Sequence, residues 1–282
     1  MRELAGKVAV VTGAAGGIGR ALALRFAAEG TVLMLADVDH GGLAETAALA
    51  RQATPRTGSP PVEVLTQITD VSDAAAVAHL ADRCFGELGA VHVLCNNAGV
   101  YQGGHMWTRT VEDFSWLLGV NVWGVLHGIR AFVPRMIEQG GEGHVVNTVS
   151  VAGLSVAAGS GGYAVTKHAA LAASLALAQD LAATGARLRV TALCPGAVRT
   201  GIADSARTRP PALAATPSQD ELDARDRVVR RAGRGIDPAE VAELAVAAIR
   251  EERFLVLTDP GHADGLRRQY ETLLSGDLPS PR

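Results

Sequence analysis

Along this chain, short β-branched runs alternate with longer stretches of helical periodicity. The runs Lys7–Val11, Thr31–Ala36, Val62–Gln67, Val91–Asn96, Gly143–Val149, Arg187–Cys194 and Phe254–Leu257 predict strands. Several are continuously apolar, as strands covered on both faces must be. Helical patterns occupy residues 17–29, 41–53, 73–88, 109–138, 161–184 and 238–250. Strand and helix in alternation predict an α/β fold, a doubly wound, seven-stranded parallel sheet with right-handed crossovers.

Two segments break the rhythm. Gln52–Pro61 (QATPRTGSPP) reads as a surface loop before the third strand. Residues 201–236 form a long insertion with seven arginines, five acids and prolines at 210, 211 and 217. Ser218 followed by Glu221 has the pattern of a capping box, so a helix is expected to start there. A polar insertion at the C-terminal edge of a sheet reads as a lid over a ligand, gaining little from packing of its own. The alternative is a solvated surface excursion. Residues 260–282 read as a charged tail, and the whole of 1–282 as one domain.

Composition narrows this picture. In 282 residues, 48% hydrophobic and 20% charged, there is material for one large core and too little charge for disorder. The 26 basic and 29 acidic side chains give no basic field for nucleic acid or anionic lipid. Cys84, Cys95 and Cys194 cannot all pair and form no CxxC, so they are expected to be buried thiols in a reducing compartment. The opening residues, charged at Arg2, Glu3 and Lys7, lack the pattern of a secretory leader. The longest uncharged stretches hold Asn, Thr, Ser and Gly, so no bilayer span is expected and the location is expected to be cytoplasmic.

Chemistry enters at the end of the first strand. Thr12–Gly19 (TGAAGGIG) runs straight into a helix. Gly13 lets the chain turn sharply, while Gly17 and Gly19 leave room for a pyrophosphate and for tight helix–strand packing. The spacing, Gly-x3-Gly-x-Gly, differs from the more familiar Gly-x-Gly-x2-Gly. Eighteen residues after Gly19, Asp37 ends the second strand. A carboxylate there accepts hydrogen bonds from both ribose hydroxyls and repels a 2′-phosphate, and no cation stands at 14–17 or 38, so NAD is expected over NADP. The plainer reading makes Asp37 a helix cap.

The chain has only two lysines, Lys7 and Lys167, and three tyrosines. Tyr163 and Lys167 are four apart in a helical stretch and share a face. A free phenol has a pKa of about 10. An ammonium beside it is expected to favour phenolate and fit the tyrosine for proton exchange with an alcohol or ketone.

Together, Thr12–Gly19, Asp37, Asn96 to Gly99 (NNAG), Ser150, Tyr163-x3-Lys167 and Pro195-Gly196 resemble the motif set of the short-chain dehydrogenases/reductases in order and spacing, over roughly residues 5–258. The resemblance implies a Rossmann fold and a single-domain NAD(P)-dependent oxidoreductase. It implies that Ser150, thirteen before Tyr163, donates to the substrate oxygen, that Tyr163 passes the proton, and that Lys167 holds the nicotinamide ribose. Asn121 matches the helix asparagine that anchors a water beneath the lysine; its plainer reading is a helix-kinking surface residue. Gly16, Ile18, Val38, Asp70, Val71, Asn97, Ala98, Gly99, Val198 and Thr200 match cofactor positions, with Asp70 at the adenine and Val198 and Thr200 at the carboxamide. Asp70 equally suits the N-cap of the helix near 73, and Gly16 stands where relatives often carry serine.

Three functions are distinguished. The first is NAD-dependent interconversion of a secondary alcohol and a ketone, with an NADP-preferring carbonyl reductase as its variant. The second is a catalytically silent NAD-binding regulator, which would tolerate loss of Ser150, Tyr163 or Lys167. The third is a nucleotide-sugar epimerase or dehydratase, which usually has a longer C-terminal substrate domain. Scattered histidines give no metal site, and Ser150 lies in no Gly-x-Ser-x-Gly elbow. Substrate contacts are expected from Tyr101, Trp107, Ser150, Val151, Ala152, Leu154, Gly159, Ser160, Tyr163 and the lid, a mostly apolar set suited to a hydrophobic small molecule. By resemblance, helices 109–138 and 161–184 build the interface of a homodimer or homotetramer.

Overall fold

A computed structural model describes residues 1–53 and 62–279 of the chain. Seven strands, β1 (Val8–Thr12), β2 (Val32–Asp37), β3 (Val64–Ile68), β4 (Val93–Asn96), β5 (Gly143–Thr148), β6 (Leu188–Cys194) and β7 (Leu255–Leu257), form one parallel sheet in the order β3-β2-β1-β4-β5-β6-β7. The order reverses between β1 and β4, which pair Ala9 with Val93 and Val11 with Cys95. Crossovers from these two strands leave in opposite directions, and a crevice opens at their carboxyl ends.

Helices cover both faces. On one, α1 (Gly17–Ala28) packs against α8 (Pro238–Glu251) through Ala23, Ala27, Ala242, Ala245 and Ala248, small residues that let the backbones approach, with α2 (His40–Gln52) alongside. On the other, α3 (Ala74–Leu88), α5 (Gly124–Glu138) and α6 (Gly161–Thr184) bury Leu80, Cys84, Phe132, Met136 and Leu181. Phe26 and Phe132 are fully buried, one on each face. Truncation of either to alanine costs about 3–5 kcal/mol in cores of this kind. All three cysteines are free and buried.

Every expected strand forms, within three residues of its expected ends. The expected helix 109–138 forms over Val111–Glu138, as α4 (Val111–Leu118) running through a π-helical turn at Gly119–Trp123 into α5. By length and apolar composition alone Val111–Glu138 is long enough to cross a bilayer. In the fold its Val125, Phe132 and Met136 are core residues, and Asn121 is fully buried within its π-helical turn. Residues 262–274 of the expected tail form a further helix, tied to the body by a Gln269 amide that donates to the Leu154 carbonyl at 3.1 Å. The loop expected at 52–61 falls, from residue 54 on, outside the described residues.

Candidate active site

A cavity of about 340 Å³ follows the crevice at the ends of β1 and β4. The turn after β1 is stapled to β4 by Thr12, whose hydroxyl donates to the Cys95 carbonyl at 3.2 Å and accepts from the Asn97 and Ala98 N–H groups at 3.0 and 3.1 Å. Asn97 donates back to the Thr12 carbonyl at 3.0 Å. Gly13 has φ +66°, and a Cβ there would lie 2.7 Å from Ala98 Cα; one on Gly19 would overlap the Gly13 carbonyl. A Cβ on Gly16, by contrast, would meet nothing within 4 Å. Gly16 caps α1 without a side-chain hydrogen bond, and no acid occupies the first turn. The opening of α1 thus offers space, free N–H groups and the positive end of a helix dipole, a set that fits a pyrophosphate.

Asp37 lines the same cavity. Its Oδ2 accepts from Ala15 N–H at 2.8 Å and its Oδ1 from Asp39 N–H at 2.9 Å. The cap of α2 is Asp39, not Asp37. Likewise Asp73 caps α3, while Asp70 accepts from Ser72 and borders the cavity beside Val71. The cavity continues past Val38, Asn97, Ala98 and Gly99 to Pro195, Gly196, Val198 and Thr200. These residues and groups fit a dinucleotide along its whole length.

At the far end stand Ser150, just beyond β5, and Tyr163 and Lys167 on α6. Burial pushes the Tyr163 phenol up to about 12, against the lowering effect of its hydrogen bond with Ser150. This reverses the sequence expectation of a depressed tyrosine pKa. Burial also pushes Lys167 down to about 8. The lysine is 4% exposed, and its Nζ donates to the Thr148 carbonyl at 2.9 Å. Asn121 is no surface residue. Its amide donates to the Val100 carbonyl and the Thr166 hydroxyl at 2.9 and 3.0 Å, and its Oδ1 accepts from Val100 N–H at 2.8 Å. It thereby ties the loop after β4 to α6, and Gly99 packs over both Asn121 and Lys167.

The expected substrate contacts are brought together only in part. Ser150 and Tyr163 line the cavity. Tyr101 stands edge-on to Tyr163 with ring centres 5.1 Å apart. Ala152 instead donates its N–H to Ser150 at 3.1 Å, Leu154 is buried in the core, and the Ser160 hydroxyl donates to the Ala157 carbonyl at 2.8 Å. Trp107 does not line the cavity; it is 82% exposed and stacks on His105. Ser205, Arg207 and Leu213 line it from the expected lid, while sequence reasoning missed Trp116, which lines it too. Nothing local marks Trp116, since it reaches the cleft only through the tertiary fold.

The insertion 201–236 includes a 3-10 segment, Ile202–Thr208, and α7 (Gln219–Gly233). The helix begins where expected, but the Ser218–Glu221 capping box does not form. Ser218 accepts from Arg109 instead, and Glu221 accepts from Arg109 at 2.7 Å and from Gln102 at 3.1 Å. Nor is the segment loosely held. Arg209 pairs with Asp113 at 2.9 Å and lies over the Trp116 ring, with Arg109 and Asp113 buried and the Arg209 side chain 9% exposed. Burial alone would raise the Asp113 carboxyl, but hydrogen bonds from Gln102, Thr110 and Arg209 hold it below its ordinary value.

The fold and this cavity define a dinucleotide-binding oxidoreductase with a serine–tyrosine–lysine site. The family model of the short chain dehydrogenases matches residues 7–211, and the chain belongs to that family. It is 41% identical over 194 residues, 68% of each chain, to 1-deoxy-11-beta-hydroxypentalenate dehydrogenase of Streptomyces avermitilis. A short chain dehydrogenase/reductase from Burkholderia phymatum, solved in complex with NAD, superposes with a TM-score of 0.95 at 42% identity, over 100% of this chain and 99% of that one. A short-chain dehydrogenase from Streptomyces avermitilis gives 0.77 at 26% identity, over 96% and 94%. The protein is an NAD-dependent oxidoreductase that interconverts a secondary alcohol and a ketone.

Proposed function

We propose that Ser150, Tyr163 and Lys167 carry this reaction on a hydrophobic secondary alcohol or its ketone, beneath a lid formed by residues 201–236. The observation that carries the reading is convergence: Ser150 just beyond β5 and two residues of α6 meet in the cavity whose other end is the Gly13–Gly19 turn and Asp37. When bound, the nicotinamide supplies or accepts the hydride. Ser150 donates its hydroxyl to the substrate oxygen and opposes the charge that builds there. Tyr163 is protonated at neutral pH, as its raised pKa requires, and so stands ready to give its phenolic proton to a ketone oxygen. In the oxidative direction it takes the alcohol proton back. Lys167, mostly an ammonium at pH 7, favours the phenolate that reduction leaves behind and holds the nicotinamide ribose. Asn121 keeps the lysine's surroundings fixed. All four roles are assigned to this chain's own side chains.

The cavity lining includes Val149, Ile202 and Leu213, which favours an apolar body over a sugar. The Streptomyces avermitilis relative acts, by its name, on a hydroxypentalenate. An alcohol and ketone panel with NAD(H), followed by absorbance of the reduced cofactor, tests the assignment. Turnover of sugars in preference to apolar cyclic alcohols would overturn it. Exposed Trp123, Ile137, Val165 and Leu175 on the α5 and α6 side support a homodimer, which light scattering would test. A cytoplasmic location accords with three unpaired thiols.

A further inference from the structure

Arg207 stands in the 3-10 segment of the lid and reaches across the cleft to within 3.7 Å of Asp39 Oδ2. Both sides of this contact border the cavity. Arg207 and Thr208 line it from the lid, and Asp37 and Val38 from the end of β2. Among the described residues that line the cavity, Arg207 is the only arginine; the other cation, Lys167, is buried at the opposite end.

The geometry is not that of a loose side chain meeting a neighbour by accident. Two residues before Arg207, Ser205 accepts from Tyr101 N–H at 3.0 Å. Two residues after it, Arg209 is paired with buried Asp113. The backbone that presents Arg207 is therefore pinned on both sides. Asp39 is equally fixed, because its Oδ1 caps α2 by accepting from Gly42 N–H at 3.0 Å. Only its Oδ2 is directed to the lid.

We propose that Arg207 and Asp39 form a strap over the adenosine half of the cofactor cleft, which parts before the dinucleotide leaves. The proposal rests on the reading of residues 201–236 as a lid. Arg207 is a positioning residue here, acting through Asp39 and not on the reacting atoms. The two side chains are 58% and 36% exposed, so the pair is screened by salt. Its parting is expected to change release rates by about threefold to fivefold, the scale of an exposed ion pair.

The test is NADH release, read by stopped-flow fluorescence while excess NAD displaces it, in the parent protein, Arg207→Gln, Asp39→Asn and the double variant. Asp39→Asn keeps an oxygen for the α2 cap while removing the charge. Each single variant should release NADH about threefold to fivefold faster, the double variant no faster than either, and added salt should speed only the parent. Unchanged release in both single variants overturns the strap. So does faster release in Arg207→Gln alone, or slower release in Asp39→Asn, since either means that Arg207 serves a cofactor phosphate and not Asp39. Trypsin cleavage of the parent at the α7 arginines, with and without NADH, separates the two readings. Protection with unchanged release removes the strap and leaves the lid; no protection with unchanged release removes both.

Discussion

The Lys167 ammonium donates to the Thr148 carbonyl at the end of β5 and lies 5.7 Å from the centre of the Tyr163 ring. One strand end thus fixes the cation that serves the tyrosine. Its burial has a consequence for stability. The folded-state pKa of about 8 lies below the ordinary 10.5, so between these values the unfolded chain holds a proton that the folded protein has released. Stability contributed through Lys167 therefore rises as pH increases from 8 to 10.5. Chemical denaturation of the parent and Lys167→Met should show the difference shifting toward the parent over that range, by at most about 3 kcal/mol. A constant difference would mean that the lysine is not desolvated.

Tyr163→Phe removes the phenolic proton and keeps the ring against Tyr101. Turnover should fall by about 10² to 10⁴, the range of general acid–base catalysis. NADH affinity, measured by fluorescence titration, should change by less than about twofold. Turnover near that of the parent would take the proton path away from Tyr163.

Asp37 has two duties, and one substitution separates them. Its oxygens hold the N–H groups of Ala15 and Asp39, so replacement by a residue with no acceptor would loosen the turn as well. Asp37→Asn keeps one oxygen and removes the charge that repels a 2′-phosphate. The parent should favour NAD over NADP by at least about tenfold in kcat/KM, about 1.4 kcal/mol, and Asp37→Asn should narrow that ratio. An unchanged ratio would place the discrimination elsewhere.

Asp113 lies between two buried guanidiniums, 2.9 Å from Arg209 and 3.6 Å from Arg109. Asp113→Asn retains an acceptor for the α4 cap but leaves that pair of charges with less compensation. Loss of about 3–5 kcal/mol is expected, because a buried charge stripped of its partner is costly. Limited trypsin digestion should show the lid freed as well. The parent should be cut first at the exposed arginines 225, 227, 230 and 231, the variant after Arg207 at a comparable rate. Stability and cleavage matching the parent would show that the lid is anchored by something else.

The sheet and its crevice were legible from the chain alone because local pattern encodes them. A strand buried on both faces must be apolar throughout, and Val8 to Val11 are. A chain turning off a strand against another backbone needs glycine, and Gly13 with its φ of +66° stands where the spacing placed it. Tyr163 and Lys167 share a helix face because four residues make about one turn. What the chain did not disclose depends on partners far away in sequence. Ser218 and Glu221 satisfy a local capping rule, yet Arg109 takes both, since charge-assisted hydrogen bonds from a guanidinium outweigh a neutral cap. Trp107 had the look of a pocket residue and lies in solvent, while Trp116, nine positions on, lines the cleft. The π-helical turn at Gly119–Trp123 and the reach of Arg207 to Asp39 were likewise settled by packing, because hydrophobic periodicity reports which face is buried and is silent on what it is buried against.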